Sequence, residues 1–311
     1  MRLSDFYKSI GLGSVVANKR KMNKVLRLAS FSPDFCFERR KDKKGRIFFD
    51  RYKLLGAGFG VSVHGFRRMR VNKEGKKVEK HVVTDWGVFA QGHNDTPIAN
   101  AFVDVDSDQL TYCFAEDMIS GNNFEFRVNN ALELLDRYHG LANYDAVVNF
   151  EESISKVNMA MLMIFGTVLL PVMKNEEHQH FRAQEEAMQK ELIARARMGD
   201  SEAEQTLHKM ASEQETDLRE RLAHEDLLSV FEGYFLNLVE QSGIFSILAD
   251  IIAVEELTNE ASLERIYRLT VSITGTKITM YISDNDLTGS PMAGMRIMGI
   301  GLLQGAVLLD K

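Results

Sequence analysis

The sequence predicts an α+β protein: an N-terminal mixed-sheet domain with helices, a charged helical connector and a small C-terminal β-barrel-like domain. Three observations carry this. Apolar runs of strand length, separated by charged and glycine-containing turns, fill most of residues 1–172. A highly charged stretch of helical texture occupies 173–240, and short strand-like runs punctuated by glycine return over 241–311. A length of 311 residues makes more than one core the natural expectation.

Taken in order, Ser4 to Ile10 reads as a short helix stopped by Gly11. Ala17 to Ala29 reads as a longer one, with Met22, Val25, Leu26 and Ala29 on one side and Arg20, Lys24 and Arg27 opposite. Strands are expected at 35–38 and 46–52 around a basic turn, then at 59–70 and 77–89 around Asn72-Lys73-Glu74-Gly75. Strands at 101–105, 110–114 and 124–128 and a helix over 129–138 follow. Val157 to Met173 is almost wholly apolar, but it is short for a membrane span and contains Gly166 and Pro171, so two core strands flanking Gly166-Thr167 are expected. Helices are expected up to Gly199, from Ser201 with Glu204 as a capping box, and from Asp226 to about Val239. Strands at 244–257, 265–273, 277–283 and 306–309 complete the chain, with the glycines from Gly289 to Gly305 read as bends.

Charge is unevenly placed. The whole chain carries −6, yet residues 1–80 carry +15 and the remainder −21. Two cysteines, Cys36 and Cys113, suggest no disulfide framework and fit a reducing compartment.

Several motifs invite a chemical reading and fail it at a named position. Gly56-x-Gly58-x-Gly60 has glycine spacing for a phosphate cradle, but Val61-Ser62-Val63 continues as strand where a helix is required, so a bend or bulge is expected. An RNA-binding strand signature at Gly58-Phe59-Gly60 lacks its stacking aromatics, since Val61 and Val63 follow. Glu176, Glu177, His178 and His180 have metal-compatible side chains without a second cluster to close a site. Asp104-Val105-Asp106-Ser107-Asp108 opens like a calcium loop, but Gln109 and Ala115 stand where glycine and a bidentate Glu belong. His93 with Asp95 is the best acid/base pair the sequence offers, but a polar turn closed by Pro97 explains these residues better. The helix pair meeting at Gly199-Asp200-Ser201 lies in acidic surroundings, against a DNA-binding role.

The order of motifs is similar to a bacterial family of unassigned function, the domain-of-unknown-function family 3881. The resemblance rests on Phe6-Tyr7-Lys8-Ser9-Ile10-Gly11-Leu12-Gly13, on Gly56 to Gly65 and on Gly166 to Val172. It continues at Ala194 to Ala203, Asp286 to Pro291 and Leu302 to Gly305. It implies a shared fold and a cytoplasmic bacterial setting, and it carries over no catalytic residue. The chain departs from the family around Gly294 to Gly305, where Met295, Ile297, Met298 and Leu302 replace more basic and aromatic residues.

The sequence therefore favours a non-enzymatic, cytoplasmic binding or regulatory protein acting through protein contacts or self-association, without cofactor, metal or membrane. The alternative is nucleic-acid binding through the basic N-terminal region. Its candidate contacts are Arg20, Lys24, Arg27, Arg39, Arg40, Lys43, Lys44, Arg67, Arg68 and Arg70. The same surface would otherwise dock the acidic stretch 176–225 or stay solvated. A third reading is an enzyme built around His93 and Asp95.

Overall fold

Gly11 ends the first helix and Asn18 starts the main one, so the chain opens on a helical corner. A computed structural model describes residues 3–38, 45–71, 75–106, 109–138, 153–171, 188, 191–196, 198–203, 205–207, 209–210, 233–239 and 242–309. A 3₁₀ helix spans Leu3–Ile10, followed by α1 (Gly13–Val16) and α2 (Lys19–Phe31). The Asn18 side chain accepts from the Arg20 and Lys21 amides at 3.1 and 3.2 Å, which satisfies donors left open in the first turn of α2. Met22, Val25 and Ala29 are buried and the cations between them exposed, as the helical spacing predicts.

A four-stranded antiparallel sheet follows in the order β1 (Phe35–Glu38), β2 (Ile47–Gly56), β3 (Phe59–Val71), β4 (Lys77–Ala90). A ten-stranded sheet takes the rest. Its strands are β5 (Asp95–Asp106), β6 (Gln109–Asp117), β7 (Asn123–Val128), β8 (Ile154–Leu169), β9 (Tyr234–Val239), β10 (Ile244–Thr258), β11 (Arg265–Ile273), β12 (Thr276–Ser283), β13 (Leu287–Thr288) and β14 (Arg296–Leu309). Helix α3 (Ala131–Tyr138) follows β7.

The α+β expectation is corrected by this count. The described residues are mostly β, 58% strand against 20% helix. Neither a helical connector nor a C-terminal barrel-like domain emerges. The C-terminal strands form no separate domain: β10, β11, β12 and β14 join into a ring only through β8, a strand of the expected N-terminal domain, which β12 meets in parallel and β14 follows antiparallel along its length. Residues 234–239, expected to end a helix, form β9 beside β10. Of the connector, helix is described at 188, at 191–196 and in pieces over 201–210, with a turn at 198–200 between them; the remainder of 173–232 lies outside the described residues. The cap of the second helix is Asp200 and not Ser201: its Oδ1 accepts from the amides of Glu202 and Ala203 at 3.0 and 3.2 Å.

Strand β8 explains the apolar stretch that invited a membrane test. It is one strand running through Gly166, not two. Met159, Met161 and Met163 face a core with Ile247, Leu269, Met280 and Ile297. Ala160 and Leu162 face a second core with Phe59, Val61, Tyr281 and the N-terminal residues Phe6, Ile10 and Leu12. A strand buried on both faces has no polar side, so its sequence reads as a continuous apolar run. Among the described residues no helix is long and apolar enough to cross a membrane.

Side chains tie the two sheets together. Gln304 on β14 is fully buried; its Oε1 accepts from the Ala90 amide at 3.0 Å and its Nε2 donates to the Val88 carbonyl at 3.2 Å. Asn129 donates to the Ala90 carbonyl at 2.9 Å, and its own carbonyl accepts from the Tyr52 hydroxyl. The outer edge of β4 is thus paired by side-chain amides where a neighbouring strand would otherwise stand.

Candidate functional site

Strands β3 and β4 outrun their neighbour. The first residue of β2, Ile47, pairs with Arg67, so beyond it Arg68–Val71 and Lys77–Lys80 pair with each other as a two-stranded ribbon. All eight of these residues are exposed. Strand alternation and the pairs Arg68↔Lys80 and Arg70↔Val78 put Arg68, Arg70 and Lys80 on one face. No ion pair is recorded for any of those three among the described residues. Arg67 faces the other way. It donates to Glu79 at 2.5 Å and to Glu38 at 2.7 Å, and these two carboxylates push its pKa up.

The ribbon's basic face continues onto an aromatic one. Phe66 precedes Arg68 by two residues and pairs with Phe48 on β2, their rings 6.0 Å apart. The Arg46 guanidinium lies over both, 5.1 Å from the Phe48 centroid and 5.3 Å from that of Phe66. Both rings are half-buried. Further along the same face Phe35, Tyr52 and Phe89 stack into a closed cluster, so the aromatics there serve packing.

Between these zones lies a polar chain that sequence reasoning missed. His64 Nε2 meets Ser62 Oγ at 3.1 Å and His64 Nδ1 meets Asp50 Oδ1 at 2.7 Å. This is the connectivity of a serine–histidine–aspartate triad. Ser62 is 1% exposed and sits mid-ladder between Tyr52 and Gly87, so an acyl donor has no route to its hydroxyl. The chain orders His64 on the sheet face. Its signal in the sequence was the i, i+2 spacing of Ser62 and His64 on a strand, and Asp50 joined them only through register.

The ten basic candidates do not share one surface. Arg20, Lys24 and Arg27 are exposed on α2, which covers the opposite face of the small sheet. Phe31 of α2 stacks on His81, and Arg51 donates to the Ser30 carbonyl and meets His81 Nδ1 at 2.8 Å on that side. Arg68 and Arg70 lie on the ribbon's other face, and Arg67 is held by carboxylates. Arg39, Arg40, Lys43 and Lys44 lie outside the described residues, as do Glu176, Glu177, His178 and His180 and most of the acidic docking stretch they open. The aspartate run at 104–108 falls partly outside them.

His93 and Asp95 take different partners, so the expected acid/base pair does not form. Asp95 accepts from Asn158 at 3.2 Å. His93 Nε2 meets Arg268 Nη1 at 2.6 Å and the Tyr281 hydroxyl at 3.5 Å, and Arg268 in turn pairs with Glu255. Because Arg268 donates to it, Nε2 is the unprotonated nitrogen of a neutral ring. Although His93 as a residue is exposed, its Nε2 edge is turned into the protein; that local burial, and then the Arg268 charge, lower its pKa. Burial pushes the Tyr281 phenol up to about 12. Every charge in this cluster is answered within it, and it clamps the start of β5 to β11 and β12.

The Gly56-x-Gly58-x-Gly60 run meets the bend reading. The β2–β3 register shifts between Leu54 and Gly56. Gly58 has φ +83°, and a Cβ there would stand 2.4 Å from the Tyr281 hydroxyl oxygen. The glycines allow close approach of the protein's own groups. Cys36 and Cys113 are free thiols, and among the described residues no group of His, Cys, Asp and Glu is arranged to hold a metal.

A family model described as a domain of unknown function, DUF3881, first described from E. rectale, matches residues 7–305. The chain belongs to this family. The match spans both sheets, the ribbon and the His93 cluster, in keeping with the resemblance carried by the sequence motifs. No curated protein and no solved structure matches the chain.

Proposed function

We propose that the protein binds nucleic acid through the β3–β4 ribbon. The observation that carries this reading is a projecting two-stranded element whose cations on one face, Arg68, Arg70 and Lys80, have no carboxylate partner recorded among the described residues. Exposed cations without a carboxylate partner among the described residues suit phosphates, whose displaced counterions drive association. Arg67 supports the contrast, since its two carboxylates hold it as a structural residue at the ribbon's base. The basic face of α2 lies on the other side and widens the positive field. Such a role fits a cytoplasmic protein.

Fluorescence anisotropy with short labelled DNA and RNA across salt concentration tests the reading. Three phosphate contacts give a log–log salt slope of about −2 on single strands. Arg68→Glu with Arg70→Glu removes most of that slope. Absence of salt-sensitive binding at low ionic strength would eliminate the proposal.

A second reading, protein contact or self-association, rests on β9. Among the described residues it ends the order of the large sheet, and Leu236, Leu238 and Val239 on it are 57%, 48% and 56% exposed. An exposed apolar edge strand suits pairing with a strand of a second copy. Sedimentation of the full chain beside Leu236→Lys decides it: a monomer at all concentrations in both would dismiss self-association.

A further inference from the structure

We infer that the nucleic acid taken by the ribbon is single-stranded, with bases stacked on the Phe48–Phe66–Arg46 platform and the backbone running onto Arg68, Lys80 and Arg70. The inference rests on the nucleic-acid reading above and adds the ligand class.

Its basis is continuity of one sheet face. Phe48 and Phe66 are paired across β2 and β3, and Arg68 and Arg70 follow Phe66 at steps of two residues, so rings and cations point the same way. Lys80 stands opposite Arg68. Two residues along a strand span about 6.7 Å. Arg68 and Arg70 are therefore spaced like successive phosphates of an extended single strand. The Arg46 guanidinium over both rings supplies a further flat cationic surface for a base. A face with aromatics at one end and cations at the other matches the chemistry of single strands, whose bases are free to stack while their phosphates track a positive path. A duplex keeps its bases stacked inside. It would engage the ribbon as a rod in the major groove, leaving Phe48 and Phe66 without a role.

The test measures affinity of the full chain for a labelled single-stranded oligonucleotide and for the same sequence as a duplex. DNA and RNA are run in parallel. A second probe carries 2-aminopurine, whose fluorescence is quenched on stacking. The expected results are tighter single-strand binding, a 2-aminopurine signal that changes on binding, and about tenfold weaker single-strand affinity in Phe66→Leu or Phe48→Leu. Duplex affinity in those variants stays within about twofold. Arg46→Met, which keeps both rings, is expected to weaken single-strand binding less than either ring substitution. Equal affinity for both forms, or single-strand binding indifferent to both ring substitutions, overturns the inference while the charge-reversal result still upholds nucleic-acid binding. No binding of either form at low salt removes both. If a ring variant proves unfolded by circular dichroism, the 2-aminopurine response of the wild-type chain decides, and an unchanged signal on binding counts against stacking.

Discussion

Gln304 offers the sharpest test of how the two sheets are joined. Substituting Gln304→Leu keeps the volume nearly constant and removes an amide that answers two backbone groups, the Ala90 N–H and the Val88 carbonyl. Val88 and Ala90 are 0% and 1% exposed, so water does not replace the lost partner. Each orphaned buried group costs about 1–3 kcal/mol. Burying a leucine in place of an amide returns about 1–2 kcal/mol. A net loss of about 2–4 kcal/mol is expected, or a fall in urea midpoint of about 1 M at an m-value near 3 kcal/mol/M. The assay is reversible urea unfolding followed by circular dichroism, with m unchanged between variants. Gln304→Glu sharpens it. A carboxylate still accepts from Ala90 but meets the Val88 carbonyl without a proton to give. That variant is expected to be the less stable at neutral pH and to recover as acid restores an O–H donor. A loss below about 0.5 kcal/mol in the leucine variant would refute the argument, because it would mean the edge of β4 is answered elsewhere.

Two further outcomes follow from the cluster at Gly58 and Tyr281. The folded phenol titrates near 12 against an ordinary 10.0, so between those values the native state keeps a proton that the unfolded chain gives up. Its contribution is complete below pH 10 and declines as pH rises to about 12, by about 2–3 kcal/mol in all. Urea unfolding at pH 9 and 11.5 checks this: Tyr281→Phe is expected to lose less stability over that interval than wild type, and equal losses would place the titration elsewhere. Gly58→Ala adds a methyl where φ is +83° and where Tyr281 Oη stands 2.4 Å from the new Cβ. It is expected to cost about 2–4 kcal/mol, whereas Gly13→Ala, with nothing within 4 Å of its Cβ, is expected to lie within about 0.5 kcal/mol of wild type. Matching stabilities for the two alanine variants would remove close approach as the reason for glycine at 58.

The fold was legible wherever local periodicity and burial agree. Helix α2 follows the spacing of Met22, Val25 and Ala29, and β11 occupies the same residues that alternation marks, 265–273. Where a strand is buried on both faces or paired backbone to backbone with a distant one, local signals mislead. The glycines of β14 read as bends; they are places where β8 comes close, as at Gly301, whose added Cβ would stand 2.6 Å from Met161 Cγ. That misreading turned one long central strand into the bends of an imagined barrel. Residues 234–239 carry an apolar pattern compatible with helix, and pairing with β10 made them strand.

The candidate interface divides along the same line. Sequence alone established a +15 N-terminal region and named Arg67, Arg68 and Arg70 and the basic face of α2. Charge counts do not say which cations are already answered. Register decided that: it turned Arg67 toward Glu38 and Glu79 and left Arg68 and Arg70 on the other face of the ribbon. It also set Phe48 beside Phe66, eighteen positions away, and Asp50 beside His64. The Ala57–Gly58 turn was the signal from which that pairing is counted. Composition thus fixed how much positive charge this protein carries near its start. Only strand pairing, which joins residues far apart in sequence, decided which of those charges face water beside an aromatic surface.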